Sequence, residues 1–285
     1  MTNSDTMKKL TGIIWTLVLL CSLSLTAGSA VAGEVYKLSM LPRYYPEKIT
    51  AMITPLATYL SAETGLSIVP VLTDNFADYE KQVINNTIAI GYENPVVYEN
   101  VSSVHEVIAT AIKGQGGDRF RGIIITRPDS PIRSLEDLRQ KSIMIVGKNS
   151  AGGYFSQAMT LMDKGIVVNR DCTLSVAADN KQENVIIAVS VGDVDAGFIR
   201  ESALHKADKY IQPGSIKVLT QTAWLPNWAF SLQRTMPQED KNRIMSALLS
   251  LKKESEVLQA MELNGFKRAS DFDYEKLAQT IRELQ

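Results

Sequence analysis

MIVGKNSAGGY, residues 144–154, begins as an apolar run and ends in a short polar and glycine-rich turn. An amphipathic run with Phe155, Met159 and Met162 on one face follows, so the segment predicts a strand, a tight turn and the start of a helix. Backbone N–H groups at a helix start have no acceptor within the helix and lie in positive potential, so such a turn can hold an anion. The same residues also fit an ordinary strand-to-helix loop capped by Ser150, and the segment alone leaves both interpretations open.

The rest of the chain alternates between strand-like and helix-like runs. The predicted strands are 35–40, 66–72, 87–91, 122–126, 143–146, 173–177, 194–199 and 216–220. The predicted helices are 49–65, 77–85, 135–140, 153–164, 183–191, 237–251, 255–263 and 274–284. Pro55 predicts a kink or a break in the first of these helices. Strands that alternate with helices at this spacing indicate βαβ units, a mainly parallel sheet, and ligand binding at the carboxyl ends of the strands.

The order of these elements predicts two lobes. One α/β series is inserted between an early and a late segment of the other, so we expect two connecting segments to cross between the lobes, near 122–128 and 216–224. The first lobe would comprise residues 33–124 and 221–285, and the second lobe residues 125–220. A ligand would then bind in the cleft between the lobes.

The first 32 residues have the pattern of a secretory signal peptide. Lys8 and Lys9 precede a mostly apolar stretch that ends near Leu25, and residues 30–32 form a small-x-small cleavage site. The stretch is also long enough for an uncleaved anchor helix, although several polar residues interrupt it. We therefore expect cleavage near Ala32 and a periplasmic protein. Its remaining cysteine, Cys172, would form no intramolecular disulfide.

The charge balance and the motif content disfavour several classes of protein. The 285 residues carry 30 basic and 31 acidic side chains, which gives no sign of binding to nucleic acid or to a membrane surface. The two histidines, His105 and His205, lie in no metal-binding spacing. The sequence contains no G-x-S-x-G, Walker or Rossmann motif. We therefore expect no metal, no cofactor and no enzymatic activity.

Several motifs, taken in their order and spacing, carry a resemblance to a known family. They are Leu56-Ala57-Thr58-Tyr59-Leu60, Ile90-Gly91-Tyr92-Glu93-Asn94-Pro95, Arg127-Pro128-Asp129-Ser130, Ser150-Ala151-Gly152-Gly153-Tyr154, Gly192-Asp193-Val194-Asp195-Ala196-Gly197 and Leu225-Pro226-Asn227. With them the chain resembles the phosphonate, phosphite and phosphate substrate-binding proteins of bacterial ABC importers. The resemblance implies the type II periplasmic binding protein fold. This is a two-lobed α/β fold in which each lobe is a mainly parallel sheet flanked by helices, with two hinge crossings.

The resemblance also implies an extracytoplasmic receptor that closes its lobes over a small tetrahedral oxyanion and delivers it to an ABC permease in the inner membrane. A monomer is the simplest expectation for such a receptor. In this family a Ser/Thr-Ser-Gly turn at a helix start binds the oxyanion through hydroxyl and backbone N–H groups. Here Ser150 is retained but Ala151 supplies no hydroxyl, and a hydrogen bond to a charged group contributes about 1.5–3 kcal/mol. A histidine of the family is also replaced, with Lys181 or Gln182 nearest, so the ligand stays open.

Ten residues form the predicted ligand site. They are Tyr44, Tyr45, Tyr92, Ser150, Ala151, Gly152, Gly153, Tyr154, Asp195 and Trp224. The anion is expected on the backbone N–H groups of residues 151–154, with the tyrosines on the opposite lobe. Three parts of this set have a structural alternative. The tyrosines fit aromatic residues packed on the lobe surface, and Asp195 fits a strand-end cap. Trp224 and Trp228 flank Pro226 and fit equally an apolar wall of the cleft or hinge packing.

Other charged side chains near the predicted site have two interpretations each. Glu93 suits a ligand amine, or equally a surface or hinge carboxylate. Arg43 and Lys148 are the cations nearest to the predicted anion turn, and solvated surface is the preferred expectation for both. Arg200 and Glu201 are adjacent in sequence and are expected to pair with each other.

The sequence thus predicts a solute-binding protein of an ABC transporter. A second hypothesis keeps the fold and makes the protein a periplasmic sensor that presents its liganded form to a membrane receptor such as a histidine kinase. A third hypothesis, an extracytoplasmic enzyme, would require an acid/base pair in the cleft.

Overall fold

Two larger β-sheets organise the chain. The computed structural model describes residues 34–114 and 117–284, and the predicted signal peptide, residues 1–32, lies outside them. The first sheet contains β1 (Val35–Met40), β2 (Ser67–Pro70), β3 (Ile90–Glu93), β4 (His105–Ile112), β12 (Ala229–Gln233) and β13 (Gly265–Arg268), in the order β13-β4-β12-β3-β1-β2. The second sheet contains β6 (Gly122–Thr126), β7 (Ser142–Ile145), β8 (Thr173–Val176), β9 (Ala196–Arg200) and β10 (Lys217–Gln221), in the order β10-β6-β9-β7-β8. We call the residues around each sheet the first and the second lobe.

Helices flank both sheets. They are α1 (Pro46–Thr64), α2 (Phe76–Ile84), α3 (Pro95–Val101), α4 (Ser156–Met162), α5 (Val168–Asp171), α6 (Gln182–Val191), α7 (Gln238–Ser250), α8 (Glu256–Met261) and α9 (Phe272–Leu284). A π-helical turn, Ala151–Phe155, leads directly into α4. Within the described part of the chain, none of the helices is both long enough and apolar enough to cross a membrane.

Local sequence signals explain helix α1. Pro46 lies in its first turn, where the missing N–H has no intrahelical partner to lose, and Gly65 ends the helix at a φ of 71°. Ile49 and Leu56 lie on its buried face in the core of the first lobe. Pro55 lies inside the helix, but the predicted break is wrong, because burial of this face outweighs the lost backbone hydrogen bond.

Each sheet mixes parallel and antiparallel strands, which corrects the expectation of mainly parallel sheets. In the first sheet β1 is parallel to β2 and β3, whereas β12 is antiparallel to β3 and β4. In the second sheet β7 is parallel to β8 and β9, whereas β6 is antiparallel to β9 and β10. The physical reason is the chain path. β6 and β12 each enter their sheet directly from the other lobe, without the helical crossover that makes neighbouring strands parallel.

Two short strands join the lobes. β5 (Arg119–Phe120) and β11 (Leu225–Pro226) pair antiparallel between the larger sheets. The chain therefore crosses between residues 112 and 122 and returns between residues 221 and 229. The crossings predicted near 122–128 and 216–224 are displaced by several residues, because β6 and β10 pair with each other inside the second sheet.

The cores hold the site in place. The apolar cluster of the first lobe also includes Phe120 from the crossing and Ala151 and Phe155 from the π-helical turn, so the two lobes are in contact there. In the second lobe the buried Gln157 donates from Nε2 to the carbonyl oxygens of Gly152, Ile123 and Ile199, at 3.0 Å each. These bonds fix the π-helical turn to the central strands β6 and β9.

Candidate functional site

A small cavity lies between the lobes, at the edge predicted for ligand binding. Its volume is about 20 Å³. The residues that line it are Arg43, Phe76, Asn94 and Trp228 of the first lobe, Phe120 of the crossing, and Val146, Ser150, Ala151, Gly152, Asn180, Gln182 and Arg200 of the second lobe. Both lobes therefore contribute residues to one small, partly open cavity.

The glycine-rich turn forms one wall of the cavity. Ser150 caps the turn, because its Oγ accepts a hydrogen bond from Gly153 N at 3.1 Å. Its carbonyl oxygen accepts from Phe155 N at 3.0 Å, which closes the π-helical turn. Ala151 and Gly152 line the cavity, and first-turn amides have no acceptor inside their own helix. The capping role of Ser150 is therefore compatible with a lining role of Ala151 and Gly152.

Gly152 is required by the close approach of a neighbouring strand. A Cβ atom at this position would lie 3.0 Å from Cβ of Arg200 and 3.0 Å from Cε2 of Phe120. Arg200 is the last residue of β9, so the stem of its side chain packs on the backbone of the turn. The missing side chain at residue 152 is what allows an arginine to enter the cavity wall.

Arg200 is a buried cation without a carboxylate partner in the described residues. Only 5 % of it is exposed, and its guanidinium stacks 4.0 Å above the ring of Phe120. One nitrogen donates to Asn227 Oδ1 at 3.1 Å, whereas Nε has no hydrogen-bond partner among those residues. Burial, and then the nearby Arg43, lower the pKa of Arg200 to about 9. The expected pair with Glu201 is wrong, because β9 ends at Arg200 and Glu201 begins a short helical turn, where it binds Arg121 at 2.8 and 2.9 Å.

Arg43 brings a second guanidinium to the cavity from the first lobe. It is half-buried, and it stacks 4.7 Å from the ring centre of Tyr44 and 5.0 Å from that of Trp228. The expectation that Arg43 is solvated surface is therefore wrong, whereas Lys148 is exposed as expected. The signal in the sequence was the position of Arg43 in a proline-flanked loop directly after β1, at the carboxyl end of a parallel strand.

Tyr44 and Tyr45 line a neighbouring cavity of about 300 Å³. Each ring contacts a lysine of the second lobe: Lys206 Nζ lies 4.3 Å from the ring centre of Tyr44, and Lys181 Nζ lies 4.7 Å from that of Tyr45. Burial raises the pKa of Tyr44, but the cations Arg43, Lys113 and Lys206 outweigh it and bring the pKa to about 8. The two tyrosines thus lie at the interface of the lobes, beside the smaller cavity.

Five of the ten predicted site residues line neither of these two cavities. The N–H of Gly153 donates to Ser150 Oγ. Tyr154 packs in the core of the second lobe, and its hydroxyl donates to Asn169 Oδ1 at 3.2 Å. Asp195 accepts from the N and the Oγ of Ser142 at 2.9 and 2.8 Å, so it is the strand-end cap of the structural alternative. These three groups thus have partners within the protein, and their contact with a ligand stays a prediction.

Tyr92 and Trp224 are the other two predicted site residues that line neither of these cavities. Tyr92 is buried behind the wall, with its ring centre 5.1 Å from that of Trp228, and burial raises its pKa. Trp224 lines a separate cavity of about 390 Å³ beside the crossing, and Arg121 stacks 4.7 Å from its ring centre. Trp228 rather than Trp224 therefore forms the aromatic wall of the small cavity.

Asn149 connects the lobes beside the cavity. Its side-chain amide donates to Glu80 Oε1 at 2.6 Å, and its main-chain carbonyl oxygen accepts from Asn94 Nδ2 at 3.1 Å. Glu80 and Asn94 belong to the first lobe, whereas Asn149 lies in the glycine-rich segment of the second. Burial raises the pKa of Glu80. Sequence reasoning missed this contact because the three residues are far apart along the chain.

Gln182 and Glu93 have different positions. Gln182 lines the cavity, and its Oε1 accepts from the backbone N of Arg200 at 2.8 Å. Glu93 is fully buried in the first lobe, where Oε2 accepts from the Tyr79 hydroxyl at 2.6 Å and burial raises its pKa to about 7. Among residues 34–114 and 117–284, no group of three or more histidine, cysteine or acidic residues is arranged to hold a metal ion.

The fold agrees with a match to a known family. The model of a family described as the phosphonate-binding periplasmic substrate-binding proteins of ABC transporters matches residues 38–274. The chain belongs to this family. Membership implies an extracytoplasmic protein that binds a small ligand and works with a membrane permease, and it supports the transport interpretation over the sensor alternative. The family consists of transport proteins and not of enzymes.

Solved structures show the same two-lobed α/β fold. PhnD1 from Prochlorococcus marinus, in complex with methylphosphonate, has a TM-score of 0.77 at 13% identity, over 88% of this chain and 98% of that chain. A protein from Xanthomonas citri bound to ATP has a TM-score of 0.74 at 17% identity, with the same coverage. A binding protein component of an ABC phosphonate transporter from Pseudomonas aeruginosa has a TM-score of 0.73 at 16% identity, over 89% of this chain and 87% of that chain. The predicted fold is thereby confirmed.

Proposed function

We propose that this protein captures a small tetrahedral oxyanion of the phosphonate, phosphite or phosphate type in the cavity between its lobes. The observation that carries the proposal is Arg200, a buried guanidinium that lines the cavity and pairs with no carboxylate in the described part of the chain. The effective penalty for burying an uncompensated charge is several kcal/mol. A bound anion offsets that penalty, so the site is complete only with an anion present.

The anion would contact groups of both lobes. Arg200 and the backbone N–H groups of Ala151 and Gly152 belong to the second lobe, and Arg43 belongs to the first. A ligand that contacts both lobes has more contacts in the closed arrangement than in an open one, so it shifts the population toward closure. The permease would then receive the closed, liganded protein.

The size of the cavity favours a small ligand. Pockets for drug-sized molecules have volumes of about 300–1,000 Å³, whereas this cavity has about 20 Å³. At about 20 Å³ the cavity has room for little more than a water molecule, so the lobes must move apart to admit any ligand. Methylphosphonate, which PhnD1 binds, requires a much smaller expansion than the ATP bound by the Xanthomonas citri protein.

The finer parts of the proposal concern processing and assembly. The chain would be exported with cleavage near Ala32, would act as a monomer in the periplasm, and would release its ligand chemically unchanged. The first lobe would comprise residues 33–124 and 221–285 and the second lobe residues 125–220, with each boundary moved into the crossing at 112–122 or 221–229.

A thermal-shift and calorimetric screen tests the proposal, because a ligand that binds only the folded state raises the melting temperature. We expect methylphosphonate, phosphite or phosphate to raise it, and ATP at the same concentration to leave it unchanged. Arg200→Gln should abolish the shift. Arg243→Gln removes a guanidinium from an exposed ion pair with Glu239 in α7, and it should retain the shift. Binding of none of the oxyanions, or equal binding to Arg200→Gln, would reject the proposal.

A further inference from the structure

The charges around the small cavity are unevenly compensated. Lys113 Nζ lies 3.2 Å from a carboxylate oxygen of Glu262, and Lys206 Nζ lies 4.0 Å from one of Glu183. In contrast, neither cavity-lining arginine has an ion-pair partner in residues 34–114 and 117–284. The described residues that line the cavity include two guanidinium groups and no acidic side chain.

The two guanidiniums come from opposite lobes and repel each other. Arg43 disfavours the charged form of Arg200, in addition to the larger effect of burial. A ligand with one negative charge would offset one of the two cations and leave the other uncompensated at the interface of the lobes. A ligand with two negative charges would compensate both and remove the repulsion that opposes closure.

Of the three side-chain amide oxygens that line the cavity, those of Asn94 and Gln182 already accept hydrogen bonds, which leaves Asn180 Oδ1 as the one without a donor among the described residues. The side-chain oxygen of Asn94 already accepts from Val96 N and Val97 N, at 2.9 and 3.2 Å. The side-chain oxygen of Gln182 already accepts from Arg200 N. An amine on the ligand would therefore lie near two cations, with no carboxylate among the described lining residues to receive it.

From this charge distribution we infer that the site selects a dianion without a cationic group and discriminates against amine-bearing phosphonates. The inference rests on the proposed function, that the cavity binds an oxyanion. It deepens that function because it names the charge class of the ligand, which the fold and the family match leave open.

Three ligands of similar size separate the charge classes. Ethylphosphonate is a dianion above its second ionisation, its isomer methyl methylphosphonate is a monoanion, and 2-aminoethylphosphonate carries an added ammonium group. A hydrogen bond to a charged group contributes about 1.5–3 kcal/mol, so we expect ethylphosphonate to bind at least about tenfold tighter than either of the others. Isothermal calorimetry at low ionic strength, above the second ionisation of ethylphosphonate, measures the three dissociation constants.

Two variants link the discrimination to the cavity. Arg43→Gln should lower the affinity ratio of ethylphosphonate to 2-aminoethylphosphonate by at least about threefold, because one of the two cations is gone. Lys148→Gln removes an exposed cation from the same glycine-rich segment as Ser150 and should leave the ratio unchanged within twofold.

The outcomes separate this inference from the proposed function. If none of the three ligands binds, and phosphate and phosphite also fail, the proposed oxyanion site is wrong. If the three bind with equal affinity, or if 2-aminoethylphosphonate binds best, oxyanion capture stands and the selection by charge is overturned.

Discussion

The charged residues at the two ends of strand β9 differ in whether the protein supplies partners for their charge. Asp195 precedes the strand, and it accepts hydrogen bonds from both the N and the Oγ of Ser142, which lower its pKa. Arg200 ends the strand, buried, with Nε unpaired in the described residues and with a second arginine beside it. The carboxylate at one end thus has hydrogen-bond donors from the protein, whereas the guanidinium at the other end is buried without a carboxylate partner in the described residues.

This difference separates a structural charge from a functional one. A satisfied carboxylate contributes to folding and needs nothing from outside. A buried and unpaired guanidinium lowers the stability of the ligand-free protein, and a protein retains such a group where a ligand compensates for it. The same strand therefore carries one residue for stability and one for binding, and substitutions at its two ends should have opposite consequences.

The largest expected effect is at Arg200. We expect Arg200→Gln to weaken oxyanion binding by about 100-fold or more, because removing one partner of a buried charged contact costs about 2–5 kcal/mol. The melting temperature of the ligand-free variant should be at least as high as that of the wild type, because the desolvation penalty is gone. Calorimetry and thermal unfolding measure the two quantities.

Asp195→Ala is the matched substitution at the other end of the strand. It should lower the free energy of unfolding by about 1–3 kcal/mol, because the N–H and hydroxyl of Ser142 lose their acceptor. Its ligand affinity should stay within twofold of the wild type. A loss of binding at Asp195 together with intact binding at Arg200 would reverse the comparison and refute it.

The second effect tests how Arg200 reaches the cavity. The Cβ atom introduced by Gly152→Ala would lie 3.0 Å from both Arg200 and Phe120, so the arginine or the turn must move. We expect about tenfold weaker binding and a loss of about 1–3 kcal/mol of stability from overpacking. Gly165→Ala provides a control that adds a methyl group in open space, although at a φ of 70°, and it should lower stability without changing affinity. Equal affinities of Gly152→Ala and the wild type would show that the position of Arg200 is not critical.

The local pattern predicted many elements but not how they pair. Strands such as β1 and β6 and helices such as α6 and α7 follow from apolar periodicity and turn residues within a few positions of the observed bounds. β4, β12 and β13 were missed, and so was the mixed strand direction. The partners of these strands lie far away in sequence, for example Phe230 opposite Tyr92, and local periodicity carries no information on such pairs.

The sequence indicated candidate residues on both lobes but not their arrangement around the small cavity. The turn at Ser150 was found because its polar and glycine residues interrupt an apolar run, and three of its five residues line the cavity. The expected pair of Arg200 with its sequence neighbour Glu201 is wrong, because the chain leaves β9 after Arg200 and Glu201 binds Arg121 instead. Arg43 and Trp228 of the opposite lobe were both candidates from the sequence, but a single sequence does not reveal which residues meet across a cleft.

A smaller effect concerns the contact between the lobes. Asn149→Ala removes the hydrogen bond to Glu80, which has no direct role in the cavity, so it should weaken binding only through the closed population. We expect about fivefold weaker binding, which corresponds to about 1 kcal/mol of lost closure energy. The relative affinities for ethylphosphonate and 2-aminoethylphosphonate should be unchanged. A change in this ratio would place Asn149 among the groups that recognise the ligand, contrary to its position.

The smallest expected effect is a pH dependence at Tyr44. The groups that shift its pKa are Arg43, Lys113, Lys206 and Glu262, and the cations among them hold the pKa near 8 in the ligand-free protein. As the pH rises through this value, a phenolate forms beside Arg43 and reduces the positive charge available to an anion. The dissociation constant of the wild type, divided by that of Tyr44→Phe, should therefore rise by about threefold between pH 7 and pH 9.

This ratio isolates the contribution of the Tyr44 hydroxyl, because the ionisation of methylphosphonate affects both dissociation constants equally and cancels. Tyr210→Phe, at an exposed tyrosine of the second lobe, should give a ratio that does not change with pH. A constant ratio for Tyr44→Phe would mean that the phenol is electrically remote from the anion. The positive charge at the site would then be confined to the two arginines, and the comparison between the ends of β9 would stand without a contribution from the tyrosine loop.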